Sequence, residues 1–169
     1  DDLASIIYKS ILNNQLIIND NDIIVIAQKV VSKAENRYID LETIKISDDA
    51  KNLANKLDKN AGLIQAVINE SNKILSTKKN VIIVEHKLGF INVNAGIDLS
   101  NVPGKRLALL LPEDPMKSAE DIQNSLSEKL NKKISINPEL FSMKKTTKSS
   151  SQPKTNIHKH LVNKMNKHK

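Results

Sequence analysis

The sequence predicts a mixed α/β fold of the α+β kind, in which strands are flanked by amphipathic helices. Short apolar runs recur, such as the β-branched residues 23–27 and the leucine-rich residues 106–111. Between them lie stretches whose apolar residues repeat at helical spacing, such as Ala50, Leu53, Ala54 and Leu57. Clusters of Asn, Gly and Pro separate the two kinds of segment. A chain of 169 residues suits one domain with one core.

Over residues 1–14, Leu3, Ile6, Ile7 and Ile11 share one helical face, with acids at the front where the helix dipole favours them. After the turn-like Asn19 to Asp22, the run Ile23 to Ala27 is apolar on both faces and predicts a buried central strand. Residues 37–41 suit a short strand, and Ser47 opens a helix carrying Ala50, Leu53, Ala54 and Leu57. A second helix is expected from about Leu63 to Ile74, after the break at residues 60–62. Residues 81–85 and 90–93 read as two strands of a hairpin joined through His86 to Gly89. Residues 94–104 form a Gly, Asn and Pro loop, and Arg106 to Leu111 a further buried strand. Pro112 and Pro115 stop that strand, and Ser118 is placed to cap a helix with Ala119, Ile122, Leu126 and Leu130. Residues 133–136 suit the start of one more strand.

Aliphatic residues supply the core, because there is no Trp and only two Phe and two Tyr, which argues against base stacking as a function. The absence of Cys excludes disulfide frameworks and thiolate chemistry, and an intracellular protein is the simplest reading. No apolar run approaches the roughly 20 residues of a membrane helix. The net charge of +7 is unevenly placed. Residues 1–130 hold 16 Lys and Arg against 18 Asp and Glu, whereas residues 131–169 hold 10 Lys against Glu139 alone. The basicity therefore belongs to the tail and does not argue that the folded part meets nucleic acid.

Two segments carry residues suited to chemistry. In residues 27–37, AQKVVSKAENR, two lysines four apart follow a strand directly, and strand ends are where ligands bind in such sheets. An ammonium there can meet a phosphate as a point charge; the alternative is a pair of solvated lysines on a surface turn. In residues 92–104, NVNAGIDLSNVPG, Asp98 suits a hard divalent cation and Asn101 suits a nucleotide hydrogen bond. There the alternative is an Asp and an Asn supporting turns. Neither segment is a Walker motif or a dinucleotide-binding glycine loop.

Together with residues 107–122, LALLLPEDPMKSAEDI, these blocks resemble the coenzyme F420-0 gamma-glutamyl ligases. That family shows a serine-lysine pair and VSKAEGR after a strand, an NAGID-type loop with SNVP, and an LLPEDP turn leading to a helix that begins Ser-Ala. The resemblance covers about residues 1–130. It implies a GTP-dependent ligase of the cytoplasm that uses Mg2+ or Mn2+ and forms a homodimer. Its substrates would be GTP, L-glutamate and coenzyme F420-0, joined by an amide bond through an acyl phosphate. Carried over by position, it implies that Gln28, Lys29, Lys33 and Asn101 contact GTP and that Asp98 is a metal ligand. Gln28 stands where serine is usual, and Asn36 where glycine is common, a change that Asn tolerates because it accepts left-handed dihedrals.

Beyond the Ser-Ala helix the family continues into an aspartate-threonine segment that has no match here, and a nucleotide-contacting segment normally precedes the first helix. Residues 1–136 are thus expected to be the N-terminal part of a ligase domain. Residues 137–169, rich in Lys, Ser, Asn and His, are expected to be a disordered basic tail. The change near residue 137 is what a frameshift or a misplaced gene boundary would produce. His158, His160 and His168 read there as solvated side chains rather than ligands of a transition metal. The alternative function is a non-catalytic protein that binds nucleic acid through this tail.

Overall fold

The computed structural model describes residues 2–100, 102–104 and 106–139. In chain order the elements are α1 (Leu3–Asn13), β1 (Ile23–Ala27), α2 (Gln28–Ala34), β2 (Tyr38–Asp40), α3 (Asp48–Leu57) and α4 (Ala61–Asn69). There follow β3 (Ser71–Lys78), β4 (Val81–His86), β5 (Ile91–Val93), β6 (Leu107–Leu109), α5 (Pro115–Leu130) and β7 (Ser135–Glu139). The mixed α/β class expected from the sequence is what forms. The described residues divide into two compact units, one of residues 2–35 with 112–139 and one within residues 36–111.

In the first unit, α1 begins where the Asp2 carboxylate accepts from the Ser5 amide at 3.1 Å, satisfying one of the amides that a helix start leaves open. Its Leu3, Ile7 and Ile11 enter a core shared with Ile24, Ile26, Val30, Val31, Ile122 and Leu126. β1 pairs in parallel with β7, from Ile23 opposite Ser135 to Ala27 opposite Glu139. The register is fixed beside the turn before β1, where Asp20 Oδ1 accepts from the Lys133 amide at 2.8 Å and Asp22 O from the Ser135 amide at 3.0 Å.

β1 is not buried on both faces as its composition suggested. Ile24 and Ile26 point into the core, while Ile23 is 66% and Val25 58% exposed. An apolar run five residues long cannot report how many faces of its sheet are covered; that depends on where the helices pack. β7 also runs to Glu139, three residues past the boundary expected at 136, because pairing with β1 carries the strand through Asn137 and Pro138. The rest of the expected tail, from Leu140, lies outside the described residues, as do its three histidines.

The start of α5 also differs from expectation. Asp114 is the cap, its carboxylate accepting from the Met116 and Lys117 amides at 3.1 and 3.0 Å, with Pro115 in the first turn. Proline suits that position because its ring presets the helical φ and its missing N–H has no partner there anyway. Ser118 lies inside the helix and donates instead to Glu35 at the end of α2.

In the second unit, β2 pairs antiparallel with β6, and β3, β4 and β5 form an antiparallel sheet in that order. Ser47 caps α3, and the Ser47 amide and hydroxyl both donate to Gln65 Oε1 at 2.8 Å, which ties α3 to α4. The core joins Ala50, Ala54 and Leu57 of α3 with Ile64 and Val67 of α4 and Ile82 and Val84 of β4. Full burial of each Leu, Ile or Val contributes about 1.5–3 kcal/mol.

The helix expected to reach Ile74 stops at Asn69, and residues 71–78 form β3. Ser71 Oγ donates to Val67 O at 2.5 Å, and Glu70 O accepts from the Lys87 amide at 3.0 Å, so the chain leaves helical bonding at this point. Irregularities between Ser71 and Lys73 and between Ile74 and Ser76 break the alternation that would have marked the strand. The hairpin of β4 and β5 forms as expected, closed by the His86 amide on Phe90 O at 2.8 Å with Gly89 at φ +84°.

Candidate functional site

The first candidate segment is a helix, not a surface turn. β1 ends at Ala27 and α2 starts at Gln28 with no intervening loop, so the strand delivers its two lysines straight into helical geometry. Residues four apart on a helix share a face, which sets Lys29 beside Lys33 and Gln28 beside Ser32. Val30 and Val31 anchor the opposite side in the core. Lys33 is 8% exposed, which removes the reading of a solvated side chain for it, and Lys29 is half-buried. Burying an ammonium is costly unless its environment is polar or charged. Lys33 also lies in the last turn of α2, where the helix dipole favours a cation. The helix closes through the Glu35 amide on Val31 O at 2.9 Å, and Asn36 follows at φ +56°, the left-handed conformation for which Asn is suited.

Two polar atoms of α2 have no hydrogen-bond partner although they are buried: Gln28 Oε1 and Ser32 Oγ. Ser32 is fully buried. Sequence reasoning missed this serine, since nothing in its spacing distinguishes a buried hydroxyl from an exposed one.

The second segment lies in the other unit. After β5 the backbone turns through three successive left-handed residues, Asn94, Ala95 and Gly96, at φ +51°, +52° and +67°. A Cβ on residue 96 would stand 2.7 Å from Asn92 Nδ2 and 3.0 Å from Leu111 Cδ1, so only glycine fits. Asn92 Nδ2 and Oδ1 and Asn94 Oδ1 are buried here without hydrogen-bond partners. Asp98 is then pinned by a two-way backbone bridge to Leu109, both bonds at 2.9 Å. Its Oδ1 accepts from the Ser100 amide at 2.7 Å and the Ser100 hydroxyl at 2.6 Å, the turn-supporting role that the sequence left open. Asn101 lies outside the described residues.

The structure thus brings Gln28, Lys29 and Lys33 together on one helix and places Asp98 on the other unit. Among the described residues no group of three or more His, Cys, Asp or Glu is arranged to hold a metal ion. A hard cation takes six or more oxygen ligands, so Asp98 by itself does not make a cation site. A shallow cleft of about 270 Å³ in the first unit, lined by Asp2, Val31, Glu35, Ser118, Asp121 and Ile122 among others, does not include the lysines of α2.

A partly buried charged cluster around the buried His86, which sequence reasoning also missed, sits in the second unit. Glu70 Oε2 lies 3.3 Å from Arg37 Nη2 and 3.8 Å from His86 Nε2, and Lys87 Nζ is 3.9 Å from its other oxygen. The signal was present: His86 continues the inward alternation of Ile82 and Val84 along β4.

The family model described as F420-0:gamma-glutamyl ligase matches residues 1–137. The coenzyme F420:L-glutamate ligase of Methanothermobacter thermautotrophicus is 40% identical over 136 residues, covering 80% of this chain and 54% of the relative. That of Natronomonas pharaonis is 42% identical over 132 residues, covering 75% and 49%. That of Archaeoglobus fulgidus is 38% identical over 136 residues, covering 80% and 52%. The chain spans about half the length of the curated relatives it matches. A family match over 137 of its 169 residues means that the chain belongs to the F420-0:gamma-glutamyl ligase family.

Proposed function

We propose that this chain forms the part of a GTP-dependent ligase that handles the nucleotide phosphates while L-glutamate is joined to coenzyme F420-0. The supporting observation is α2: a helix fed directly by a strand, with Lys29 half-buried and Lys33 buried on one side. In this reading the two lysines and Gln28 contact GTP, and so does Asn101. Asp98 is one ligand of several to a Mg2+ or Mn2+ ion whose remaining ligands are not among the described residues. Such an ion supplies neutralisation of phosphate charge when bound.

Phosphoryl transfer spreads negative charge over the γ-phosphate oxygens, and fixed cations that meet that charge lower the barrier. A carboxylate oxygen of the coenzyme precursor attacks the γ-phosphorus and GDP leaves, giving an acyl phosphate. The amino group of L-glutamate then displaces inorganic phosphate, forming the amide and releasing a proton. The protein acts in the cytoplasm as a homodimer. Among the described residues no helix is long and apolar enough to cross a membrane.

The test is incubation with coenzyme F420-0, L-glutamate, GTP and Mn2+, followed by mass spectrometry of the coenzyme and assay of the nucleotide. The reading expects a gain of one glutamyl unit with one GDP and one phosphate per amide. Release of pyrophosphate, or equal turnover with ATP, would exclude it.

A further inference from the structure

We infer that the Ser32 hydroxyl is a further anion-binding group of the α2 site, donating to a phosphate oxygen of the nucleoside triphosphate at the inner end of the lysine pair. The inference rests on the proposed function and deepens it. At 100° per residue, Gln28, Ser32, Lys29 and Lys33 fall within one arc of roughly 140° of the helix, and Val30, Ala34 and Val31 fill the rest. An ordinary helix turns such a polar arc to water. Here it is closed off at its inner turn, where Ser32 is 0% and Lys33 8% exposed, while Gln28 and Lys29 in the first turn are half-buried. The arc therefore runs from an accessible turn to an enclosed one.

Ser32 Oγ has no hydrogen-bond partner among the described residues. A serine within a helix has an easy remedy, donation to the carbonyl four residues back, and Ser118 of α5 uses it on Asp114 O at 2.9 Å. Ser32 does not. Leaving a buried hydroxyl unpaired destabilises a fold, and alanine at this position would avoid the cost and favour the helix. A group that weakens the empty protein in this way is accounted for if a ligand completes its bonding. Beside two lysines that ligand is an anion. The Gln28 carbonyl, also unpaired, can only accept and cannot serve a phosphate oxygen, whereas the Ser32 hydroxyl can donate.

Calorimetric titration of GTP and of inorganic triphosphate into the full chain, with thermal unfolding of the empty proteins, tests this on Ser32→Ala, Ser32→Cys and Lys33→Ala. The cysteine variant keeps the side-chain volume with a poor donor and is the one read if alanine impairs folding. Both serine variants are expected to bind each anion on the order of tenfold more weakly, and Ser32→Ala to unfold at the parent temperature or above it. Parent-like affinity in the serine variants, with Lys33→Ala weakened, overturns the role of Ser32 alone. Parent-like affinity in Lys33→Ala, or no binding of GTP by the parent, overturns the underlying phosphate site and the inference with it.

Discussion

Lowering the pH from 7 to 5 should loosen the unit of residues 36–111 through a single imidazole. His86 ends β4 with its side chain 3% exposed, its ring stacked on Phe90 at 4.9 Å between centroids and 3° between planes. Its Nδ1 accepts from the Leu88 amide at 3.0 Å, so in the neutral ring the proton sits on Nε2, towards Glu70. A second proton must land on Nδ1, opposite an N–H that can only donate, and the bond that shapes the turn of residues 86–89 is lost. Burial is the largest influence and pushes the pKa below the ordinary 6.5, with Lys87 and Arg37 adding to it and Glu70 opposing.

The unfolded chain therefore binds more protons than the folded one just below pH 6.5. Stability is complete above that value and falls with pH until the folded pKa is passed. The Leu88 hydrogen bond given up on protonation sets the scale of the effect, about 1 kcal/mol. A loss of about 1 kcal/mol on protonation lowers the melting temperature by roughly 4–8 °C for a unit of this size. Asp40 and the other carboxylates held low by their partners titrate below this window. Thermal unfolding of the parent and of His86→Asn, whose amide oxygen can replace Nδ1 without titrating, separates the effect. The variant should start lower, for lost packing, and show a flatter pH dependence. Parallel slopes, or an imidazole titration of His86 centred at or above pH 6.5, would refute the reasoning.

Two further perturbations probe the loop and helix starts. Gly96→Ala places a Cβ 2.7 Å from Asn92 Nδ2 on backbone at φ +67°, and should cost about 1–3 kcal/mol in thermal unfolding; an unchanged melting temperature would mean that the left-handed turn before Asp98 is not as described. Asp114→Ala removes the cap of α5 and should cost about 1 kcal/mol, while Ser118→Ala leaves the helix start intact. The reverse ranking would restore Ser118 as the cap.

What the sequence made legible followed from local chemistry. Ser47 with Asp48 and Asp49 announces α3, and the hairpin of β4 and β5 shows in two apolar runs with Gly89 between them. What it hid depends on distant parts of the chain. The exposure of Ile23 and Val25 is decided by helices far away in sequence, and β3 loses its alternation to two register shifts against β4. At the candidate site the lysine spacing on α2 was readable, and Asn36 takes the left-handed conformation expected of it. The burial of Lys33 and the unpaired Ser32 hydroxyl were not readable, since the same letters serve a solvated helix equally well. Nor could spacing tell that Asp98 already accepts two hydrogen bonds from Ser100.

The central claim, that the side chains of α2 hold nucleotide phosphates, is tested most directly by comparing GTP with guanosine on the parent and on a Lys29→Ala, Lys33→Ala double variant. The account predicts that the parent binds GTP and not guanosine, and that the double variant loses at least roughly tenfold in GTP affinity, since each charge-assisted contact is worth about 1.5–3 kcal/mol. Equal binding of guanosine and GTP by the parent, or an unchanged GTP affinity in the double variant, would contradict it.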